Sequence, residues 1–240
     1  CNRLGLRLLP PHVNESQYHF TAAEKEIRFG LLAIKNLGLG LIEGLIAERE
    51  KFGPYRSLYD FCSRLYGGQL NRRAVESLVK SGSLDGLGAT RKEMLQSIDR
   101  IIDTLDARKR RNVEGQLGLF DAGLDAAGGG ISLVKCGEFP KHELLAMEKE
   151  GAGLYISGHP MAELAPLGKR LGAATTAEIL SAGEPGGAVQ DGQTIKLLAM
   201  VEKVKVKATR SGSAMAFLQL EDMYGGVECL VFPKILAQYK

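Results

Sequence analysis

The stretch "LLAIKNLGLGLIEGLIAERE", Leu31 to Glu50, decides between two architectures. Apolar residues recur at three and four on either side of a tight "NLGLG", which predicts a first helix ending near Asn36, a hairpin, and a second helix starting near Leu41. In that arrangement the hairpin amides and the positive end of the second helix face outward together, so an oxyanion can rest on them without help from base edges. Lys35, Asn36, Leu37, Gly38, Leu39 and Gly40 are then the candidate phosphate-binding residues. Leu37 and Leu39 are expected to anchor the turn in the core, and a β-branched side chain at Gly38 is expected to strain it. The competing architecture takes Gly38, Gly40 and Gly44 as the phosphate loop of a dinucleotide-binding enzyme. That loop needs a buried strand before it and another about 20 residues later. Lys35 and Asn36 suit a buried strand poorly, and "SLYDFCSRL" has helical spacing. A glycine-rich helix connection with no ligand is the third reading.

Outward from this stretch, the helical spacing continues through "NRRAVESLVKSG" and "TRKEMLQSIDRIIDTLDARKRR", which predicts a compact all-helical unit to about Leu105. Residues 1–29 read as extended, with β-prone runs at Tyr18 to Phe20 and Ile27 to Phe29. Residues 108–138 read as a linker: a basic run, the apolar pentapeptide "QLGLF" at Gln116 to Phe120, and a Gly/Ala-rich tail. Helical spacing returns at "HELLAMEKEGAGLYISG", "MAELAPLGKRL" and "TAEILSA". From residue 194 the period drops to two, with Val204 and Val206 alternating with Lys203, Lys205 and Lys207, and two further strands follow around a "MYGG" turn. The fold class expected is α+β.

With 240 residues, 45% hydrophobic and 25% charged, the chain suits one large or two modest cores. A net charge of +3 makes the placement of cations more informative than their sum. No apolar run has the length of a membrane span and no secretory pattern opens the chain, so the cytoplasm is the expected compartment and no membrane partner is expected. Cys1, Cys62, Cys136 and Cys229 are scattered, which predicts reduced thiols and no metal. The chain opens on Cys1 inside an apolar phrase, and we expect it to be a piece of a longer protein.

Four further features admit two readings each. Arg72 and Arg73 either extend a positive surface or open a solvated helix. The cations Arg108 to Arg111 either meet duplex phosphates or keep a linker soluble, and the sequence leaves this open. Lys203, Lys205, Lys207 and Arg210 share a strand and the following turn, where they either track a nucleic-acid backbone or face solvent; Phe217 is expected in the core. The pentapeptide carries two apolar anchors, Leu119 and Phe120, and a hydrogen-bonding handle, Gln116, which suit a partner's groove as well as a domain's own core. His159 reads as a turn before a helix, and the acid pairs Glu148 with Glu150 and Glu221 with Asp222 read as exposed charges.

The phrases "LLPPHVNES", "IRFGLLAIKNLGLGLIEGLIAERE", "LNRRAVESLVKSGSLDGLG", "EGQLGLF", "EKEGAGLYISGHP" and "TRSGSAMAFLQLEDMYGGVECLVFP" occur in one order over nearly the whole chain. In that order they resemble the C-terminal part of the C-family bacterial replicative DNA polymerases, the polymerase III alpha subunits. The resemblance implies five regions: 1–29, the end of the preceding fingers; 30–107, a tandem helix-hairpin-helix domain on duplex DNA; 108–138, a linker with the clamp-binding peptide; 139–193, a helical connector; and 194–240, the first strands of a truncated OB-fold near single-stranded template. It assigns the sliding clamp to Gln116, Leu117, Leu119 and Phe120. It also places the catalytic aspartates and their magnesium upstream of this chain, which then carries no catalytic residue and no cofactor and is inactive alone. Contacts with other replicase subunits are expected through regions not present here. The family's hairpin has glycine where this chain has Asn36, a residue that also accepts a left-handed backbone. An error-prone paralogue and a stand-alone DNA-binding adaptor share these features.

Overall fold

The computed structural model describes residues 6–113, 133–184, 186–209 and 212–239, with the side chains of 111–113 left aside. Helices and two small three-stranded sheets make an α+β chain in two compact units, Cys1–Gly158 and His159–Lys240. The division falls inside the segment 139–193 expected as a single connector.

In the first unit the amino-terminal strands β1 (Arg7–Leu9), β2 (Thr21–Ala23) and β3 (Glu26–Arg28) pair in the order β1-β3-β2. They are followed by α1 (Leu39–Phe52), α2 (Leu58–Leu65), α3 (Arg72–Lys80), α4 (Arg91–Val113) and α5 (Lys141–Ala152). Each of these helices buries one stripe. Leu41, Ile42, Leu45 and Ile46 of α1 meet Leu58, Phe61 and Cys62 of α2, and Met94, Ile98, Ile101 and Leu105 of α4 close the core at spacings of four and three. Ser57 caps α2 by accepting from the Asp60 amide, and Asn71 caps α3 by accepting from that of Ala74. Thr90 and Glu93 bond reciprocally at the start of α4, so its first turn carries a capping box.

The residues before Gly30 do not form a separate layer. Val13 is fully buried, its amide bonds the Ser83 carbonyl, and the guanidinium of the largely buried Arg49 donates to the Val13 carbonyl at 2.7 Å. A side chain at Gly30 would meet the Tyr18 carbonyl and the Phe20 amide at 2.7 Å, so only glycine lets the two segments cross there.

The expected first helix, ending near Asn36, is absent. Leu31–Ala33 form a single 3₁₀ turn. The amides of Leu31 and Leu32 bond the carbonyls of Gln17 and Tyr18, and the Lys35 amide, which would have closed a helical turn on Leu31, bonds Gly151 instead.

The second unit begins with a 3₁₀ turn over Pro160–Leu164, whose start is capped by His159 Nδ1 accepting from the Met161 amide. The His-Pro pair is thus the expected turn before a helix. Helices α6 (Ala165–Leu171) and α7 (Thr176–Leu180) follow, the second opened by a Thr175/Glu178 capping box. An antiparallel meander of β4 (Met200–Ala208), β5 (Ala214–Asp222) and β6 (Gly225–Val231) leads to α8 (Pro233–Gln238).

Two acids expected to be solvated are buried. Asp222 accepts from the Thr176 amide and hydroxyl and from the amides of Tyr224 and Gly225, tying the β5–β6 turn to the start of α7. Glu148 on α5 accepts from the amides of Ile156 and Ser157, each at 2.9 Å, and from Arg91 at 3.2 Å. Each carboxylate enters the interior because backbone donors separated from it in sequence satisfy its oxygens.

Candidate nucleic-acid interface

The turn between the 3₁₀ segment and α1 is built around Asn36, whose φ of 63° is left-handed. Asparagine accepts that conformation, and its Nδ2 donates to Ser77 Oγ on α3 at 2.9 Å, holding the turn against that helix. The Asn36 side chain is thus committed to a contact within this chain. Gly38 is extended, with φ −81° and ψ 154°, a conformation open to any residue. The strain expected at Gly38 therefore falls on Asn36. Leu37 packs half-buried on the core, whereas Leu39, expected beside it, is 54% exposed. It lies in the first turn of α1, whose buried stripe starts at Leu41.

The Gly38 carbonyl accepts from the amides of Leu41 and Ile42. The amides of Leu37, Gly38, Leu39 and Gly40 have no partner among the described residues, and Gly38 supplies no side-chain cap. Four donors thus remain at the positive end of a 14-residue helix. Beside them runs a concavity lined by Lys35, Asn36, Arg73, Ser77 and Lys80 together with Glu76 and Glu150.

The cations of this surface differ in what they have left to offer. Arg72 bridges Glu76 and Asp99, each at 2.8 Å, and the Glu76 hydrogen bond raises its pKa further. Lys80 pairs with Glu150 at 2.7 Å. Lys35 and Arg73 have no carboxylate partner among the described residues, so the positive potential beside the open amides comes from these two. Of the two readings open for Arg72, a positive surface or a solvated helix start, its paired charge favours the second.

In the second unit Lys203, Lys205 and Lys207 stand exposed on β4, opposite Gln219, Phe217 and Met215. They share a face with Phe217, which is only half-buried, and Lys207 Nζ lies 5.0 Å from its ring centre. Arg210 lies outside the described residues, as do Gln116, Leu117, Leu119 and Phe120.

Sequence reading missed two residues here. Gln69, in the loop between α2 and α3, lies against Gly40, with its Oε1 2.7 Å from where a Cβ would stand. Glu138 accepts from the amides of Arg91 and Lys92 at 2.8 and 3.2 Å, filling the start of α4. No local pattern announces either, because each acts on a helix that begins tens of residues away.

Residues 5–94 match the helix-hairpin-helix motif family. Across 95% of its length the chain is 38% identical to the DNA polymerase III subunit alpha of Thermus aquaticus, of which it covers 18%. Across its full length it is 34% identical to that of Xylella fastidiosa, of which it covers 21%, and across 98% it is 33% identical to that of Saccharopolyspora erythraea, of which it covers 20%. The chain spans about a fifth of the length of these curated relatives. Carrying a helix-hairpin-helix motif over residues 5–94, the chain is similar from end to end to one region of the DNA polymerase III alpha subunits.

Proposed function

We propose that this chain is the DNA-binding and clamp-tethering portion of a bacterial replicative DNA polymerase. The observation that carries the duplex-binding part is the open row of amides from Leu37 to Gly40 at the start of α1, flanked by Lys35 and Arg73. Amides on a helix start recognise an oxyanion through charge and geometry alone, so they hold a phosphodiester whatever base it carries. A polymerase that moves along its template needs that indifference to sequence.

The β4 lysines and Phe217 support contact with single-stranded template, in the manner of an OB-fold that pairs cations with a stacking surface. The pentapeptide Gln116 to Phe120 is the clamp tether. A lone pentapeptide binds a clamp protomer on the order of micromolar, about −8 kcal/mol, and attachment to DNA-bound units raises its effective concentration. Nucleotidyl transfer and the magnesium it uses belong to a catalytic domain outside this segment, which is inactive alone. Among the described residues no helix is long and apolar enough to cross a membrane, and we assign the protein to the cytoplasm.

The deciding experiment gives α1 a carboxylate of its own. Gly38→Asp places an acid at the cap position, where it can accept from an open amide and repels phosphate while leaving the helix as stable or slightly more so. Duplex affinity, measured by fluorescence anisotropy against salt on random-sequence DNA, is expected to fall at least tenfold with no loss of melting temperature. In parallel, calorimetry against the cognate clamp should show binding abolished by Leu119→Ala with Phe120→Ala, while duplex binding stays intact. Unchanged duplex affinity in Gly38→Asp overturns the hairpin assignment, and unchanged clamp affinity in the double variant overturns the tether.

A further inference from the structure

Whether the cations that end α4 belong to the nucleic-acid surface is undecided by sequence, and the packing of α4 on α2 speaks to it. Arg108 donates to the Tyr59 hydroxyl at 2.5 Å, and Tyr66, which ends α2, donates its hydroxyl to Asp106. These two contacts lay the last described turns of α4 along α2, Arg108 at its start and Asp106 at its end. Lys109 consequently lies with its Nζ 5.9 Å from the Tyr66 ring centre and 3.8 Å from where a Cβ of Gly67 would stand.

Gly67 and Gly68 have no side chains, are exposed, and leave the backbone bare next to that ammonium. The next residue is Gln69. Gln69 is exposed, and its carboxamide has no hydrogen-bond partner among the described residues and lies against Gly40, with Oε1 3.8 Å from where a Cβ of Gly38 would stand. From the open amides of α1, the surface therefore passes to an uncommitted amide donor, then to bare backbone, then to a cation. The cation also keeps its charge. Arg72 is held by two carboxylates, which offset it, whereas Lys109 is held by the face of an aromatic ring, which positions an ammonium without neutralising it.

We propose that the phosphate-binding surface continues from the α1 hairpin across the Gly67–Gln69 loop to Lys109, with Gln69 and Lys109 each taking a phosphate oxygen of the bound nucleic acid. This rests on the duplex-binding function proposed above, and it predicts different signatures for its two residues. Lys109 neutralises a phosphate and so releases a counterion; Gln69 donates a hydrogen bond and releases none.

The test is duplex binding by the whole chain over a range of salt, for Lys109→Gln, Gln69→Ala and Gly38→Asp, with Lys51→Gln as a control cation. Lys51 lies in the last turn of α1, the end away from the hairpin, and packs over Phe52. Lys109→Gln should lower affinity about three- to tenfold and reduce the log–log salt slope by about one. Gln69→Ala should weaken binding about two- to threefold with the slope unchanged, and Lys51→Gln should match the unmodified chain. If Lys109→Gln and Lys51→Gln behave alike while Gly38→Asp loses binding, the continued surface is overturned and the hairpin stands. If Gly38→Asp binds normally while Lys109→Gln is weakened, the hairpin assignment fails and with it the continuity proposed here. Melting temperature checks folding, and because all four positions are exposed, it should not fall in any variant.

Discussion

The starts of α1 and α4 both follow a turn rich in glycine, yet they end up in opposite electrostatic states. At α1 the cap is Gly38, four amides lack partners among the described residues, and the nearest uncompensated side chains are cations. At α4 the Thr90/Glu93 box takes the cap donors and Glu138 takes the amides of Arg91 and Lys92. Glu93 also accepts from the Cys136 amide, so residues 135–138 are strapped across that helix start. A helix start is an anion site only if the chain has not already supplied the anion. By that criterion α1 is open to phosphate and α4 is filled.

The largest expected effect tests how firmly the α4 side is built. Arg91 bonds both oxygens of Asp85 and also Glu148, whose side chain is almost wholly buried. Glu148→Ala leaves the amides of Ile156 and Ser157 and part of a buried guanidinium without partners. We expect a loss of about 3 kcal/mol in denaturant unfolding of the first unit. A loss below about 1 kcal/mol would mean that the turn after α5 does not depend on the Glu148 carboxylate.

A smaller effect inverts the comparison itself. Glu138→Ala strips α4 of its internal anion and should cost about 1 kcal/mol, a fall of roughly 2–4 °C in melting temperature. The same variant should bind duplex DNA about two- to threefold more tightly, because two amides become available to phosphate, and with a steeper salt dependence, because a carboxylate that repels phosphate is gone. Weaker DNA binding would instead show that Glu138 orders the surface that DNA uses.

The smallest effect is in pH. Hydrogen bonds from the backbone of Thr90 and then of Cys136 hold the Glu93 carboxyl below its ordinary value of 4.5. A carboxyl with a lowered folded-state pKa stabilises the fold above its ordinary value, and that contribution is lost as pH falls through the lowered one. Stability followed from pH 6 downward should therefore decline below about 4.5, with the Cys136 strap loosening, and Glu93→Gln should flatten that decline. An unaltered profile in the variant would detach Glu93 from the strap's acid response.

Much of this was legible before any coordinates. "NLGLG" announced the hairpin, and Asn36 was recognised as a residue able to adopt the left-handed turn that it does adopt. The helices over "SLYDFCSRL", "NRRAVESLVK" and the start at Arg91 follow from spacing and caps, which involve residues within one or two turns of each other. The 3₁₀ turn at Leu31–Ala33 was not legible, because the segment is held by the carbonyls of Gln17, Tyr18 and Gly151, which accept from Leu31, Leu32 and Lys35 across long stretches of chain. The burial of Glu148 and Asp222 was hidden for the same reason.

Sequence alone determined that the chain alternates a helical part with a strand part, where the hairpin lies, and which family it resembles, because periodicity, caps and ordered phrases are local properties of the chain. Only tertiary structure decided which helix start stays open and which cations keep their charge. Those outcomes depend on carboxylates and rings brought in from a distance: Glu138 comes from 47 residues beyond Arg91, Glu148 from 57, and Tyr66 holds a cation from the far end of α4. Electrostatic compensation acts through space over a few ångströms, and no spacing rule along the chain can report which groups folding will bring that close.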